Sequence, residues 1–237
     1  MMGEDTRGRN VVLTDRVRAN VSGGAGEVTP KGRALLTGFD QMVRLSLRGV
    51  WVRGHIPTEA VVWAMNHHHW WDAFASNSVL RTVGQRPTVL ISDQNLASFT
   101  LFNWIDAAPA SDPKRALAPL RAGRTLVIMP EGRMLGAGPL GPLRKGAGRL
   151  AAEAGVPLVP VALRVVMRGS QHAEAFIDIG APVSAEELAP VLSRSLAELD
   201  ELLAVTPATH DLPDYRRVVA GRGSVDGWFS VLTPWRR

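Results

Sequence analysis

The 237-residue chain contains no cysteine. That excludes disulfides, zinc–thiolate sites and a thiolate nucleophile, so covalent catalysis would fall to Ser, Thr, Lys or a carboxylate. Lysine is scarce. It occurs only at Lys31, Lys114 and Lys145, so arginine supplies nearly all the positive charge behind a formal net charge of +5. No stretch approaches the ~18 consecutive apolar residues of a membrane-spanning helix. Met1 to Lys31 is polar and glycine-rich and lacks the apolar core of a secretory signal, so none is expected. Zinc-finger spacing, an aromatic RNA-binding pattern and internal repeats are also missing. A basic surface can meet nucleic acid, anionic lipid or an anionic cofactor, and these absences leave nucleic acid the weakest of the three. The expected location is cytoplasmic, peripheral on the inner face of the cell membrane.

What is present suits one sizeable α/β domain. The apolar fraction, 46%, is ordinary for a globular protein, and the length affords a core without staples. We divide the chain into a loose arm (1–30), a single α/β domain (31–204) and a C-terminal extension (205–237). Residues 32–48 carry Leu35, Leu36, Phe39, Met42, Val43 and Leu47 at helical spacing, with Arg33, Arg44 and Arg48 beside them. Such a helix packs on the domain or lies on a membrane. A short strand pair is expected over 50–53 and 60–65, then a helix over 70–83. Further strands are expected at 87–91, 105–108, 125–129 and 156–166, with the last at 173–179. Helices are expected over 94–104, 114–122, 146–154 and 183–204. Ser184 and Glu187 make a capping box for the last of these, and Pro190 points to a kink or a later start. Strands alternating with helices indicate an α/β fold.

Four blocks carry chemistry. In the first, the apolar run ending at Met65 gives way to Asn66-His67-His68-His69-Trp70-Trp71-Asp72. A polar cluster at the carboxyl end of a strand is where open α/β sheets place ligands. If the chain turns into a helix after His69, the Asp72 carboxylate can return to the His67 ring. It would then fix the tautomer and leave the other nitrogen as a base. Two other readings stay open: a metal site made by the three histidines, and a structural histidine. The second block is Pro130-Glu131-Gly132-Arg133, directly after a buried strand. The third is Arg144-Lys145-Gly146 at a helix start, a ready site for an anion. The fourth is Val156-Pro157-Leu158-Val159-Pro160-Val161, whose two prolines suggest an edge or irregular strand.

Taken in order, these blocks resemble the lysophospholipid acyltransferase family, whose members acylate glycerol-3-phosphate or 1-acyl-glycerol-3-phosphate. The family's Asn-His, four residues, Asp pattern matches Asn66-His67 through Asp72. Its Pro-Glu-Gly block matches Pro130-Glu131-Gly132, its Lys-Gly-Ala segment matches Lys145-Gly146-Ala147, and its Val-Pro-x-x-Pro-Val block matches 156–161. The resemblance covers roughly 48–180. It implies a mixed, mostly parallel central sheet flanked by helices, of the glycerol-phosphate acyltransferase type. It implies His67 as general base oriented by Asp72. Glu131, Gly132, Arg133, Arg144 and Lys145 would bind the acceptor or its phosphate. Neither metal nor cofactor is implied. Acyl-CoA or acyl carrier protein serves as co-substrate, a lysophospholipid as acceptor, and the membrane surface as partner.

The chain departs from the family pattern at two places. Where the family reads Pro-Glu-Gly-Thr-Arg, Arg133 and Met134 stand in the last two positions. A middle block that ends in arginine in the family ends here in Asp112, with Lys114 and Arg115 nearby. These arginines are thought to hold the acceptor's phosphate. The acceptor therefore stays open between 1-acyl-glycerol-3-phosphate and another lysolipid, a non-phosphorylated lipid or a lipid amine. A silent lipid- or acyl-carrier-binding module and a metal-dependent hydrolase are the rivals from other classes.

Overall fold

The protein is described by a computed structural model covering residues 29–223. The arm before Thr29 and the tail bearing Trp228, Phe229 and Trp235 lie outside the described residues.

Helix α1, Pro30–Ser46, is capped by Thr29, whose hydroxyl accepts the Gly32 N–H, and has proline in its first turn. Leu36 and Val43 turn inward and are buried. Strand β1 spans Gly49–Arg53 and β2 Val62–Met65. Helix α2, Asp72–Thr82, leads to β3, Thr88–Ile91. The helix expected over 94–104 is broken at Phe99. Helix α3, Asp93–Ser98, is capped by Ser92, and a 3-10 turn, Thr100–Ile105, follows. Asp106 then takes a left-handed conformation (φ 54°), which delays β4 to Ala108–Pro109. A second 3-10 turn, Pro113–Ala116, runs into α4, Leu117–Arg121, and β5 spans Leu126–Ile128. Helix α5, Gly146–Ala154, precedes β6, Leu158–Val166, and β7, Glu174–Ile179. Helix α6 is Leu188–Val205. The Ser184 and Glu187 side chains accept each other's backbone N–H just before it, and Pro190 falls in its first turn, where no N–H is required.

The strands form one sheet ordered β4-β3-β5-β2-β6-β7-β1-β8, where β8 is Arg216–Ala220. Five of the seven pairings are parallel, and β6–β7 and β1–β8 are antiparallel. This is the mixed, mostly parallel α/β architecture.

Three expectations are corrected. The segments expected as a strand pair, β1 and β2, do not pair, because β6 and β7 lie between them. Three strand spacings, about 14 Å, separate the two, and the intervening residues 54–61 extend to roughly 26 Å, enough to cross. The Val-Pro-x-x-Pro-Val strand is central rather than an edge. Pro157 precedes β6. The Pro160 carbonyl faces the β7 side and accepts the Gly180 N–H, one residue past the end of β7. The proline's missing donor thus falls beyond that ladder. Finally, β7 is not the last strand. In β8 only Val219 is buried, and that strand exists through its pairing with β1.

Candidate active site

Strand β2 is buried along its whole length in the middle of the sheet, between β5 and β6. Its carboxyl end releases the chain at Asn66. The buried Asn66 amide donates to the Leu163 carbonyl (3.0 Å) and accepts the Leu163 N–H (2.8 Å). One side chain so continues the β2–β6 ladder while the backbone turns away. The three histidines that follow have diverging environments.

Asp72, the first residue of α2, is fully buried. Its Oδ2 accepts the N–H groups of His68 and His69, both at 2.8 Å, and lies 3.0 Å from His67 Nδ1. An acid here also complements the positive end of the helix dipole. With the proton on Nδ1, His67 Nε2 keeps its lone pair, and the ring remains 22% exposed. The His67 backbone is held as well. Its N–H donates to Glu131 Oε2 (2.6 Å), and its carbonyl accepts the Leu135 N–H (2.8 Å).

His68 points inward, its side chain 3% exposed. Arg164 donates to its Nδ1, while its Nε2 faces Glu131 Oε1 at 3.5 Å. Burial, then the Arg164 charge, lowers its pKa, against the raising influence of Glu131 and Asp72. The neutral ring therefore contributes stability that is complete above its ordinary value of 6.5 and is lost as pH falls through the lowered folded value. Thermal melts from about pH 7 down to about pH 5 should show the midpoint falling less in His68→Gln, which cannot titrate. His69 takes a third role, its Nδ1 accepting the Trp71 N–H at 3.1 Å. Among the described residues, no group of three or more His, Asp or Glu side chains is arranged to hold a metal.

The structure brings the second block against the first. Glu131 follows β5 and is buried, and its Oε1 accepts the Gly141 N–H at 2.8 Å. Both oxygens are turned into the protein, joining the His67 backbone to the glycine-rich loop. Gly132 has φ 70°, and a Cβ there would meet the Arg144 guanidinium, 2.6 Å from Nε. The third block is thus joined to the second through contact of Arg144 with Gly132. Gly132→Ala should cost about 1–2 kcal/mol in backbone strain and push Arg144 aside, lowering both the unfolding midpoint and turnover. Unchanged turnover would separate Arg144 from the reaction.

Arg133, Arg144 and Lys145 are exposed, and none forms an ion pair with a described residue. Lys145 is the N-cap residue of α5, whose first turn holds no acid. Met134 and Lys114 are exposed too. Arg164, which meets His68, and Asp200, which meets Arg164, escape sequence reading, because they lie in no recognisable block and come together only through the fold.

A histidine–aspartate pair thus stands at the carboxyl end of a central strand, with exposed cations on the neighbouring turns. The acyltransferase family model matches residues 50–164, from β1 to the arginine on His68, which supports an acyltransferase-like enzyme. Among solved structures it is similar to PlsC, the 1-acyl-sn-glycerophosphate acyltransferase of Thermotoga maritima. That match has 18% identity and a TM-score of 0.52, over 80% of this chain and 84% of PlsC. At that identity the likeness establishes the shared fold. No curated protein sequence matches the chain.

Proposed function

We propose that the protein transfers a fatty acyl group from acyl-CoA or acyl carrier protein to a lipid hydroxyl, that of 1-acyl-glycerol-3-phosphate, giving phosphatidic acid. The observation that carries this reading is the buried Asp72 carboxylate, fixed by two backbone N–H groups and set 3.0 Å from His67 Nδ1. His67 Nε2 takes the proton of the acceptor hydroxyl as its oxygen attacks the thioester carbonyl. Asp72 stabilises the resulting imidazolium, which returns the proton to the departing thiolate. No acyl-enzyme is needed, in keeping with a chain that has no cysteine. Arg144 and Lys145, at the start of α5, bind phosphate of the acceptor or of the donor, helped by the unpaired N–H groups of that helix end. Arg133 lies on the turn after β5, beside Glu131 and Gly132, which shape the site from behind. PlsC, named for the same transfer, supports the choice of acceptor.

A panel of acceptors offered with one labelled acyl thioester tests this. Product from 1-acyl-glycerol-3-phosphate alone is expected. Labelling only of a lysolipid lacking a terminal phosphate, or of an amine, would favour the second reading, which exposed Met134 motivates because it stands where the family has arginine. No labelled product from any acceptor would favour a silent binding module.

The protein acts as a peripheral membrane protein in this reading. Among the described residues no helix is long and apolar enough to cross a bilayer. Helix α1 turns Leu36 and Val43 into the domain but leaves Lys31, Arg33, Arg44 and Leu45 outside. Trp70, Phe74, Phe39, Phe102 and Phe99 form a chain of ring contacts from the catalytic turn past α1, and Trp70 and Phe99 are exposed. Exposed aromatics beside cations suit a lipid interface. The protein should float with anionic vesicles at low salt, and a Trp70→Ser/Phe99→Ser variant should bind less. Wild-type protein left in the bottom fraction would remove the membrane from the proposal.

A further inference from the structure

An arginine outside the recognised blocks, Arg164, joins their residues at His68. Two charged side chains from separate segments face its ring, Arg164 from β6 and Glu131 from the turn after β5, and the Asp72 carboxylate at the start of α2 accepts its backbone N–H. Arg164 is itself buried and makes four contacts. Its Nη1 donates to His68 Nδ1, and its Nη2 donates to the Gly138 carbonyl at 2.6 Å. Its Nε and Nη2 donate to Asp200 Oδ1 and Oδ2, each at 2.6 Å. Asp200 lies on α6, which packs across β6. A buried guanidinium is a costly way to fill space, since apolar side chains pack as well without the desolvation penalty. Its directed contacts are what an apolar residue could not supply.

The contacts run in one circuit. Arg164 donating to Nδ1 leaves the His68 proton on Nε2, which faces Glu131. Glu131 in turn receives the N–H groups of His67 and Gly141. Arg164 grips the same glycine-rich loop at Gly138. The carboxylate under the His67 backbone therefore faces His68 across 3.5 Å and is held by a loop, and both His68 and the loop are tied to Asp200 through Arg164.

We propose that Asp200, Arg164 and His68 are positioning residues for the acyl-transfer reaction, forming a relay through which α6 and the glycine-rich loop set the placement of His67. The inference rests on His67 being the base. A base displaced by about 1 Å by a distant change can lose ~10²-fold in rate. His68→Leu leaves Arg164 and Glu131 without their shared partner. His68→Gln keeps an acceptor for Arg164 and a donor for Glu131.

The test measures kcat and KM with labelled acyl-CoA and the acceptor identified by the panel. His68→Leu should lower kcat ~10²-fold, because the base is displaced. Both KM values should stay within about twofold, because binding groups are untouched. His68→Gln should recover most of the loss. Asp200→Ala should lower kcat roughly tenfold on its own and add little in the His68→Leu background, since coupled residues are not additive. A purely structural role would lower the unfolding midpoint and leave kcat per folded molecule unchanged. That result, or independent multiplication of the two effects, overturns the relay. Should His68→Leu fail to fold, Asp200→Ala decides alone, because Asp200 lies at the half-exposed end of the network. A readout independent of substrate is the ¹⁵N NMR signal of the His67 ring. Loss of its single ordered Nδ1–H state in Asp200→Ala supports the relay, and an unaltered signal contradicts it. His67→Ala run in parallel separates the two failures. An active His67→Ala sinks the base, whereas an inactive one beside a fully active Asp200→Ala sinks only the relay.

Discussion

Replacing His67 by alanine is expected to lower kcat by roughly 10²–10⁴-fold, the span that general base action supplies. The fold should survive. The ring is partly exposed, and the backbone contacts through Glu131 and Leu135 do not involve it. Asp72 keeps its two backbone donors, so no buried charge is stripped of all its partners. Residual activity would come from holding donor and acceptor together. The check is single-turnover transfer from a labelled acyl thioester, with circular dichroism melts on the same preparation. Turnover at the wild-type rate in a folded His67→Ala protein would end the general-base mechanism.

Asp72 carries the second large effect, and two substitutions divide its charge from its hydrogen bonding. All three donors, from His67, His68 and His69, converge on one oxygen, Oδ2. Oδ1 is buried without a hydrogen-bond partner among the described residues. An asparagine can therefore place its carbonyl oxygen at the Oδ2 position and its amide nitrogen at the Oδ1 position. Asp72→Asn then retains the turn and the Nδ1 tautomer while removing the charge that steadies the imidazolium. We expect kcat to fall roughly 10²–10³-fold, the usual cost of losing one electrostatic stabiliser. Asp72→Ala should also destabilise the fold, because the His68 and His69 N–H groups lose their acceptor, at about 1–3 kcal/mol for each donor left buried. Denaturant unfolding would measure the second effect and steady-state rates the first. If Asp72→Asn turns over like the wild type, the carboxylate serves the turn alone.

Most of the fold was legible because its elements are local. The buried run 125–129 and the helix 146–154 lie where composition and spacing put them, and the Ser184–Glu187 capping box forms before α6. Errors came where the pattern is silent about neighbours. Two adjacent short strands resemble a pair, yet β1 finds β7 and β8 while β2 finds β5 and β6. Two prolines resemble an edge, yet the position of the Pro160 carbonyl beyond the end of β7 makes a central strand tolerable. The helix expected over 94–104 breaks at Phe99, whose backbone (φ −124°, ψ 76°) lies outside the helical region.

The sequence by itself made the His67–Asp72 pairing an expectation, because a strand end, a turn and a helix start lie within a few residues, and the structure sets the two 3.0 Å apart. It also placed Arg144 and Lys145 at a helix start, where Lys145 is the N-cap residue of α5. Only the tertiary structure decided what holds the base in place. Glu131 reaches the His67 N–H from 64 positions away, and Arg164 reaches His68 from 96. Contacts over such separations depend on strand order in the sheet, and strand order follows from which apolar faces bury one another rather than from any local spacing.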